Sequence, residues 1–224
     1  MRKTLWLRLA APLQSWGTEC KFLDRRTEIC PTKSGVVGLL AAALGRRRDA
    51  DLKDLSALEF GVRVDHPGRI AADYQTAKHP TNKVLVFVLH RYYLEDAVFL
   101  AGVSSDRSDF LEEIAHALRH PAFPLFLGRR SCPPTLPLFL HIAPLPLEEA
   151  LRQEPWLVPE WPRRKLTNEL EIYVDGHQGD SRLAVWRDAP ASFDPHRRQH
   201  SFRMVSKREN VRVDEVTEHD PFSE

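Results

Sequence analysis

Hydrophobic residues open the chain at every second position, and further on their spacing becomes helical. Leucine recurs at alternate positions within residues 4–10, which predicts a strand with one buried face. Residues 33–44 are apolar and small, with Thr32 or Ser34 as the natural N-cap and Gly45 as the natural stop. This second pattern predicts a helix.

The middle of the chain continues with strand-like and helix-like segments. Alternating apolar residues predict a strand at 59–65, and residues 83–103 predict two strands folded about Glu95 and Asp96. Asp106 is a natural cap for a second helix, and apolar extended segments flank the turn at 128–130. The order strand, helix, strands, helix, strand predicts an α+β fold of the ferredoxin-like βαββαβ type. In that fold two helices cover one face of an antiparallel sheet and leave the other face available.

The pattern divides the chain into three parts. The predicted βαββαβ domain spans residues 1–143, and the proline-rich segment 144–162 is predicted to be a connector. Short alternating segments follow, so residues 163–224 are expected to form a smaller β-rich part that ends in an acidic tail.

Charge is distributed unevenly between the body and the tail. The formal net charge is +1, but residues 214–224 hold five acids and no Lys or Arg. The body is therefore basic, which permits nucleic-acid binding through phosphate contacts without establishing it.

Cysteine usage and the amino-terminal residues indicate a cytoplasmic protein. The three cysteines show no ligand spacing with each other or with histidine, so no disulfide framework, metal site or cofactor is predicted. The basic and apolar start resembles a signal peptide, but Arg8 interrupts the apolar block. No apolar run approaches the roughly 18 residues that span a bilayer, so no membrane association is expected.

The segment PTKSGVVGLL at 31–40 contains Lys-Ser-Gly but lacks both glycines of a nucleotide-binding P-loop. A helix start with unpaired N–H groups, Lys33 and Ser34 still suits a backbone phosphate. The alternative is that Gly35 and Gly38 let the helix pack closely while Lys33 is solvated.

Two further basic segments are candidates for RNA contact. In FLGRRSCPPT at 126–135, Gly128 permits close approach of the backbone to another chain, and Arg129 or Arg130 can bind phosphate or stack on a base. Neighbouring side chains in extended chain point to opposite sides, so we do not expect both arginines to reach one ligand. The second segment, 196–212, mixes basic residues with Phe202, which suits single-stranded RNA. Solvated surface is the alternative for both.

The chain carries no hydrolase, dinucleotide-binding or metal-protease motif. Metal-independent RNA cleavage requires only a His or Lys and a Tyr near a 2′-hydroxyl, which HRYY at 90–93 contains. Ordinary sheet surface is the commoner role for such residues.

Several blocks together resemble one protein family. The segments LRLAAPLQSWG, PTKSGVVGLLAAALG, DYQTA, FLGRRSCPPTLPLFL and RRQHSFRMV occur in this order along nearly the whole chain. They resemble the CasD family, the family-five subunits of type I-E CRISPR Cascade in the repeat-associated mysterious protein (RAMP) superfamily.

The resemblance implies a fold and a set of partners. It implies an RNA-recognition-motif-like (RRM-like) domain with a thumb hairpin inserted at about 77–98, where the sequence departs most from the family pattern. It also implies a subunit that holds the 5′ handle of the CRISPR RNA. The implied neighbours are the backbone subunit CasC and the large subunit CasA, in a complex that binds target DNA.

The resemblance further implies RNA binding without catalysis, since another subunit, CasE, cuts the precursor RNA in type I-E systems. A relative in type I-C systems does cut RNA, so a metal-independent endoribonuclease is the alternative. The residues in matching blocks, and therefore the implied RNA-binding set, are Gln14, Lys33, Ser34, Gly35, Tyr74, Gly128, Arg129, Arg130, Ser131, Arg198 and Arg203.

Overall fold

A computed structural model describes residues 2–17, 20–21, 24–78, 86–159, 163, 166–194 and 199–213. The larger of its two sheets draws strands from both ends of the chain, and every pairing in it is antiparallel. In spatial order the strands are β11 (Leu183–Ser192), β12 (Gln199–Lys207), β10 (Glu169–Asp175), β5 (Glu59–His66), β8 (Val98–Ser105), β1 (Lys3–Ala10) and β9 (Phe139–Ala143), with β13 (Val211–Arg212) paired to β10.

Helices α1 (Lys33–Ala43) and α3 (Ser108–Arg119) cover the leucine face of β1. The predicted alternation is present, because the leucines of β1 pack into one cluster with both helices while Trp6 points to the opposite face. The short helix α2 (Lys53–Ser56) leads into β5. The α+β class predicted from the sequence is therefore confirmed.

The opposite face of this sheet is covered rather than available, which corrects one expectation. Residues predicted as connector form α4 (Leu147–Gln153), whose Leu147, Ala150 and Leu151 pack on Trp6. Their spacing of three and four places all three on one helical face, and burying that face removes apolar surface from water.

A buried ion pair fixes the segment after α4 to the sheet. Arg63 Nε lies 2.7 Å from Asp65 Oδ1 with both side chains inaccessible to solvent. Arg63 also donates to the carbonyl oxygens of Leu151 and Pro155, at 2.9 and 2.8 Å. The proline-rich segment is therefore packed against β5 rather than spanning freely between two parts.

The C-terminal strands extend the first sheet, which differs from the expected separate part. Glu171–Val174 of β10 pairs with Gly61–Val64 of β5, so the main-chain ladder crosses the predicted boundary. An extended segment beside the open edge of β5 satisfies that strand's backbone groups without building a second core.

The second sheet is built around a long two-stranded ribbon. Strands β6 (Arg69–Lys78) and β7 (Val86–Glu95) pair over their whole described length, and β7 is bordered on its other edge by β2 (Leu13–Gln14) and β4 (Asp24–Arg25), with β3 (Cys20–Lys21) beyond. The ribbon begins before the predicted insertion at 77–98, and Val98 already belongs to β8.

Candidate functional site

The start of α1 holds a carboxylate of the chain itself. Thr32 caps the helix by accepting from the backbone N–H of Gly35 at 3.2 Å. The backbone N–H of Lys33 donates to Asp188 Oδ2 at 2.8 Å, and Asp188 is fully buried. The positive end of the helix dipole therefore already has an anionic partner, supplied by β11.

Two basic side chains complete a buried network around that carboxylate. Arg203 binds both oxygens of Asp188 and also lies 2.8 Å from Asp175 Oδ1. Lys33 Nζ lies 2.8 Å from the other oxygen of Asp175. Burial lowers the pKa of Arg203, but the hydrogen bonds and charges of both carboxylates outweigh it and raise the pKa overall. Both cations are thus paired inside the protein.

The sequence suggested exposed phosphate contacts at this helix start, and the structure places these residues inside. Lys33 is 9% exposed and Ser34 5% exposed. A Cβ on Gly35 would lie 2.8 Å from the ring of Trp16, so this glycine permits close packing of the ring. The physical reason is that the carboxylates of Asp175 and Asp188, far along the chain, hold the cations inward.

Gln14 is likewise an interior residue. Its Nε2 donates to the carbonyl oxygens of Leu9, at 3.2 Å, and Ala97, at 2.7 Å, and its Oε1 accepts from Trp16 Nε1. The amide therefore satisfies backbone carbonyls where β1 ends, and its side chain has no access to solvent.

The Gly128 loop packs directly on the chain after β2. Gly128 has φ +85°, and a Cβ there would lie 1.6 Å from the carbonyl oxygen of Ser15. The backbone N–H of Ser15 donates to the Leu127 carbonyl at 3.1 Å. Both the conformation and the space require glycine, but the close approach seen here is to the protein's own Ser15, whereas the sequence suggested an approach to another chain.

Arg129 is held beside the ribbon, whereas the two residues that follow it are exposed. Its Nη2 donates to the Arg25 carbonyl at 2.8 Å, and its guanidinium lies 4.5 Å from the ring centroid of Tyr93. Arg130 and Ser131 are exposed. The two arginines therefore occupy different environments, as predicted, but the cause is a turn rather than extended chain, since the Cys132 N–H donates to the Arg129 carbonyl at 2.9 Å.

Tyr74 lies on the solvent side of the ribbon and is 63% exposed. It pairs across the strands with His90, whose ring centroid lies 5.6 Å away in an edge-on arrangement. Tyr93 is three positions after His90 on β7, so it points to the opposite face. Tyr74 and Arg129 consequently lie on opposite faces of the ribbon.

Arg91 and Arg25 were missed as candidates. Arg91 precedes Tyr93 by two positions, so both face Arg129, while His90 and Tyr92 face Tyr74. The alternation of side chains within HRYY at 90–93 was therefore the sequence signal for the face on which Arg91 lies. Arg25 pairs with Arg91 across β4 and β7 and could not be placed from sequence, because its strand is only two residues long.

The thiols of Cys30 and Cys132 are buried. Burial raises the pKa of the Cys30 thiol to about 12, and burial also raises the pKa of Cys132.

In the described ranges, no group of three or more His, Cys, Asp and Glu side chains is placed to hold a metal ion. None of the helices formed by those residues is long and apolar enough to cross a membrane. Arg198, a predicted contact, lies outside the described residues.

Most of the chain matches a known family. The family model described as CRISPR-associated protein (Cas_Cas5) matches residues 4–206. The chain belongs to the Cas5 family. The resemblance to the family-five subunits that was inferred from the sequence blocks is therefore confirmed.

Individual Cas5 relatives agree with that assignment. The chain is 37% identical over 160 residues to the CRISPR system Cascade subunit CasD of Escherichia coli strain K12, an alignment covering 62% of this chain and 71% of the relative. A solved Cas protein is 40% identical, with 97% of this chain and 100% of that chain covered and a TM-score of 0.74. A chain of a CRISPR RNA-guided surveillance complex is 32% identical, with 93% and 91% covered and a TM-score of 0.76.

Proposed function

We propose that the chain is a non-catalytic RNA-binding subunit of a type I-E Cascade surveillance complex. In this role it holds the 5′ handle of the CRISPR RNA in the cytoplasm and links it to CasC and CasA. The complex as a whole would bind target DNA in antiviral defence. Likeness to CasD and to a chain of an RNA-guided surveillance complex supports this assignment.

The exposed ring of Tyr74 carries the RNA-binding part of the proposal. A tyrosine that is 63% exposed on a ribbon contributes little apolar burial to folding. Its position beside His90 suits an unstacked base, and stacking on an aromatic side chain contributes about 1–3 kcal/mol per base.

The predicted contacts divide into a surface set and an interior set. Gly128, Arg129, Arg130 and Ser131 remain proposed contacts, as does Arg198. The interior set stabilises the fold beneath that surface, since each member is packed or paired inside the protein. It consists of Gln14, Lys33, Ser34, Gly35 and Arg203.

We also propose a ferredoxin-like core within the longer sheet. Strand order β9, β1, β8, β5 with α1 and α3 over one face supports it. The ribbon of β6 and β7 then corresponds to the inserted thumb.

Binding of the full-length chain to fluorescently labelled 5′-handle RNA, followed by anisotropy, tests the function. The wild type is expected to prefer this RNA over a scrambled strand, and Tyr74→Ala to weaken binding roughly five- to a hundredfold. Phe123→Ala, which removes a half-exposed ring elsewhere, is the matched control. Equal binding of both RNAs, or unchanged affinity of Tyr74→Ala, would contradict the proposal.

A metal-independent endoribonuclease is the second candidate, because His90 and Tyr92 share the face of Tyr74. Incubation with labelled repeat RNA in EDTA distinguishes the two. The non-catalytic subunit leaves the RNA intact. Cleavage at one position, abolished by His90→Ala or Tyr92→Phe, would replace it with the enzyme.

A further inference from the structure

Two arginines on neighbouring strands point to the same side of the smaller sheet. Arg25 of β4 and Arg91 of β7 are paired residues in a parallel ladder. Paired residues of adjacent strands direct their side chains to the same face. The two guanidinium groups therefore share the face that is opposite Tyr74.

A third arginine joins them from the Gly128 loop. The Arg129 guanidinium lies 4.5 Å from the ring centroid of Tyr93, which follows Arg91 by two positions and faces the same way. Arg129 Nη2 also donates to the main chain of Arg25 at 2.8 Å. Three elements that are distant in sequence thus place three arginines on one face of the smaller sheet.

The ion pairs among the described residues do not involve this cluster. Within the described ranges, no carboxylate forms an ion pair with Arg25, Arg91 or Arg129. Asp73 is the cross-strand neighbour of Arg91 but accepts a hydrogen bond from Gln75 Nε2 at 2.6 Å.

Two donors of the cluster are buried and have no hydrogen-bond partner among the residues that the structure describes. They are Arg91 Nε and Arg129 Nη1. Leaving a buried donor of a charged group unpaired costs free energy, and a ligand that accepts hydrogen bonds there recovers it. Paired guanidinium forks match the oxygens of phosphate groups.

We propose that Arg25, Arg91 and Arg129 form a phosphodiester-binding cluster for the RNA backbone. This inference rests on the proposed function and adds to it: one face of the ribbon binds phosphates, and the Tyr74 face stacks bases. Arg91 is the central residue of the cluster. It pairs with Arg25 and lies two positions before Tyr93, whose ring the Arg129 guanidinium contacts.

The test measures binding of full-length protein to fluorescent 5′-handle RNA over a series of salt concentrations. For single strands, each phosphate contact contributes about 0.7 to the slope of log affinity against log salt. We expect Arg91→Gln to reduce the slope by about 0.7 and the affinity roughly tenfold or more, as for a hydrogen bond to a charged group. Its melting temperature should not fall below that of the wild type, because the Arg91 side chain has no described hydrogen bond or ion pair and its buried Nε is unpaired among the described residues.

Two further variants define the cluster. Arg91→Lys keeps the charge without the fork, so the slope is expected to remain while the affinity falls. Arg48→Gln, an exposed arginine in the loop after α1, is the matched control and should leave both unchanged. Wild-type binding with an unaltered slope and affinity in Arg91→Gln would overturn the cluster alone. Failure of the wild type to bind RNA would overturn the proposed function and the cluster with it.

Discussion

Arg203 binds Asp188 through two hydrogen bonds, with Nε 2.7 Å from Oδ1 and Nη2 2.8 Å from Oδ2. Asp188 Oδ2 also accepts the backbone N–H of Lys33, so one buried carboxylate joins β11 and β12 to the start of α1. The helix start that resembles a phosphate site is therefore a structural junction in this chain.

Asp188→Asn should destabilise the protein by about 3–5 kcal/mol, because it leaves the Arg203 charge without its closest buried partner. The measurement is the free energy of unfolding in urea. Asp49→Asn, which changes an exposed carboxylate, should leave it unchanged. Equal unfolding midpoints for Asp188→Asn and the wild type would show that the junction contributes little.

Lys33→Met should lower stability while leaving the salt dependence of RNA binding as in the wild type. The reason is that Lys33 Nζ is committed to Asp175 at 2.8 Å, with 11% of the side chain exposed. Urea unfolding and anisotropy on the same preparations check both outcomes. Lys53→Met, at a side chain that is 91% exposed, is the stability control. A slope reduced by about 0.7 with unaltered stability would instead make Lys33 a phosphate contact.

Local pattern was sufficient to predict the elements that bury one face. The leucine alternation of β1 and the apolar spacing of α3 predict their structures because each requires only neighbouring residues. Helix α4 was missed because prolines surround its seven residues, and these gave the segment the composition of a connector.

The roles of the basic residues could not be predicted in the same way. Lys33 and Arg203 lie in segments whose composition is typical of a phosphate site. Their ion pairs with carboxylates far along the chain hold them inside the protein instead. Arg91, by contrast, has the right chemistry and no described partner, but its role depends on strands that meet only in the folded chain.

Gly128→Ala should destabilise the protein far more than Gly179→Ala. Both residues have positive φ, so alanine at either position costs about 1–2 kcal/mol in backbone strain. A Cβ at Gly128 would also lie 1.6 Å from the Ser15 carbonyl oxygen, whereas nothing lies within 4 Å at Gly179. Denaturant unfolding of the two variants isolates the steric part, and equal losses would contradict the close approach of the loop.

The Cys30 thiol should make stability depend on pH in the alkaline range. Burial raises its pKa from 9.0 to about 12, so above pH 9 the unfolded chain loses this proton and the folded chain keeps it. The folded state then binds more protons, and the free energy of unfolding falls with rising pH by up to about 1.4 kcal/mol per pH unit until the folded thiol ionises.

Cys30→Ala separates this effect from the titration of other groups. The variant should show a shallower decline than the wild type between pH 9 and 12, while the two should run parallel below pH 8, where the thiol is protonated in most unfolded molecules and in the folded state. Unfolding in urea at a series of pH values measures both curves. Parallel curves throughout would mean that the thiol ionises equally in both states, which a side chain only 1% exposed in an apolar cluster does not permit.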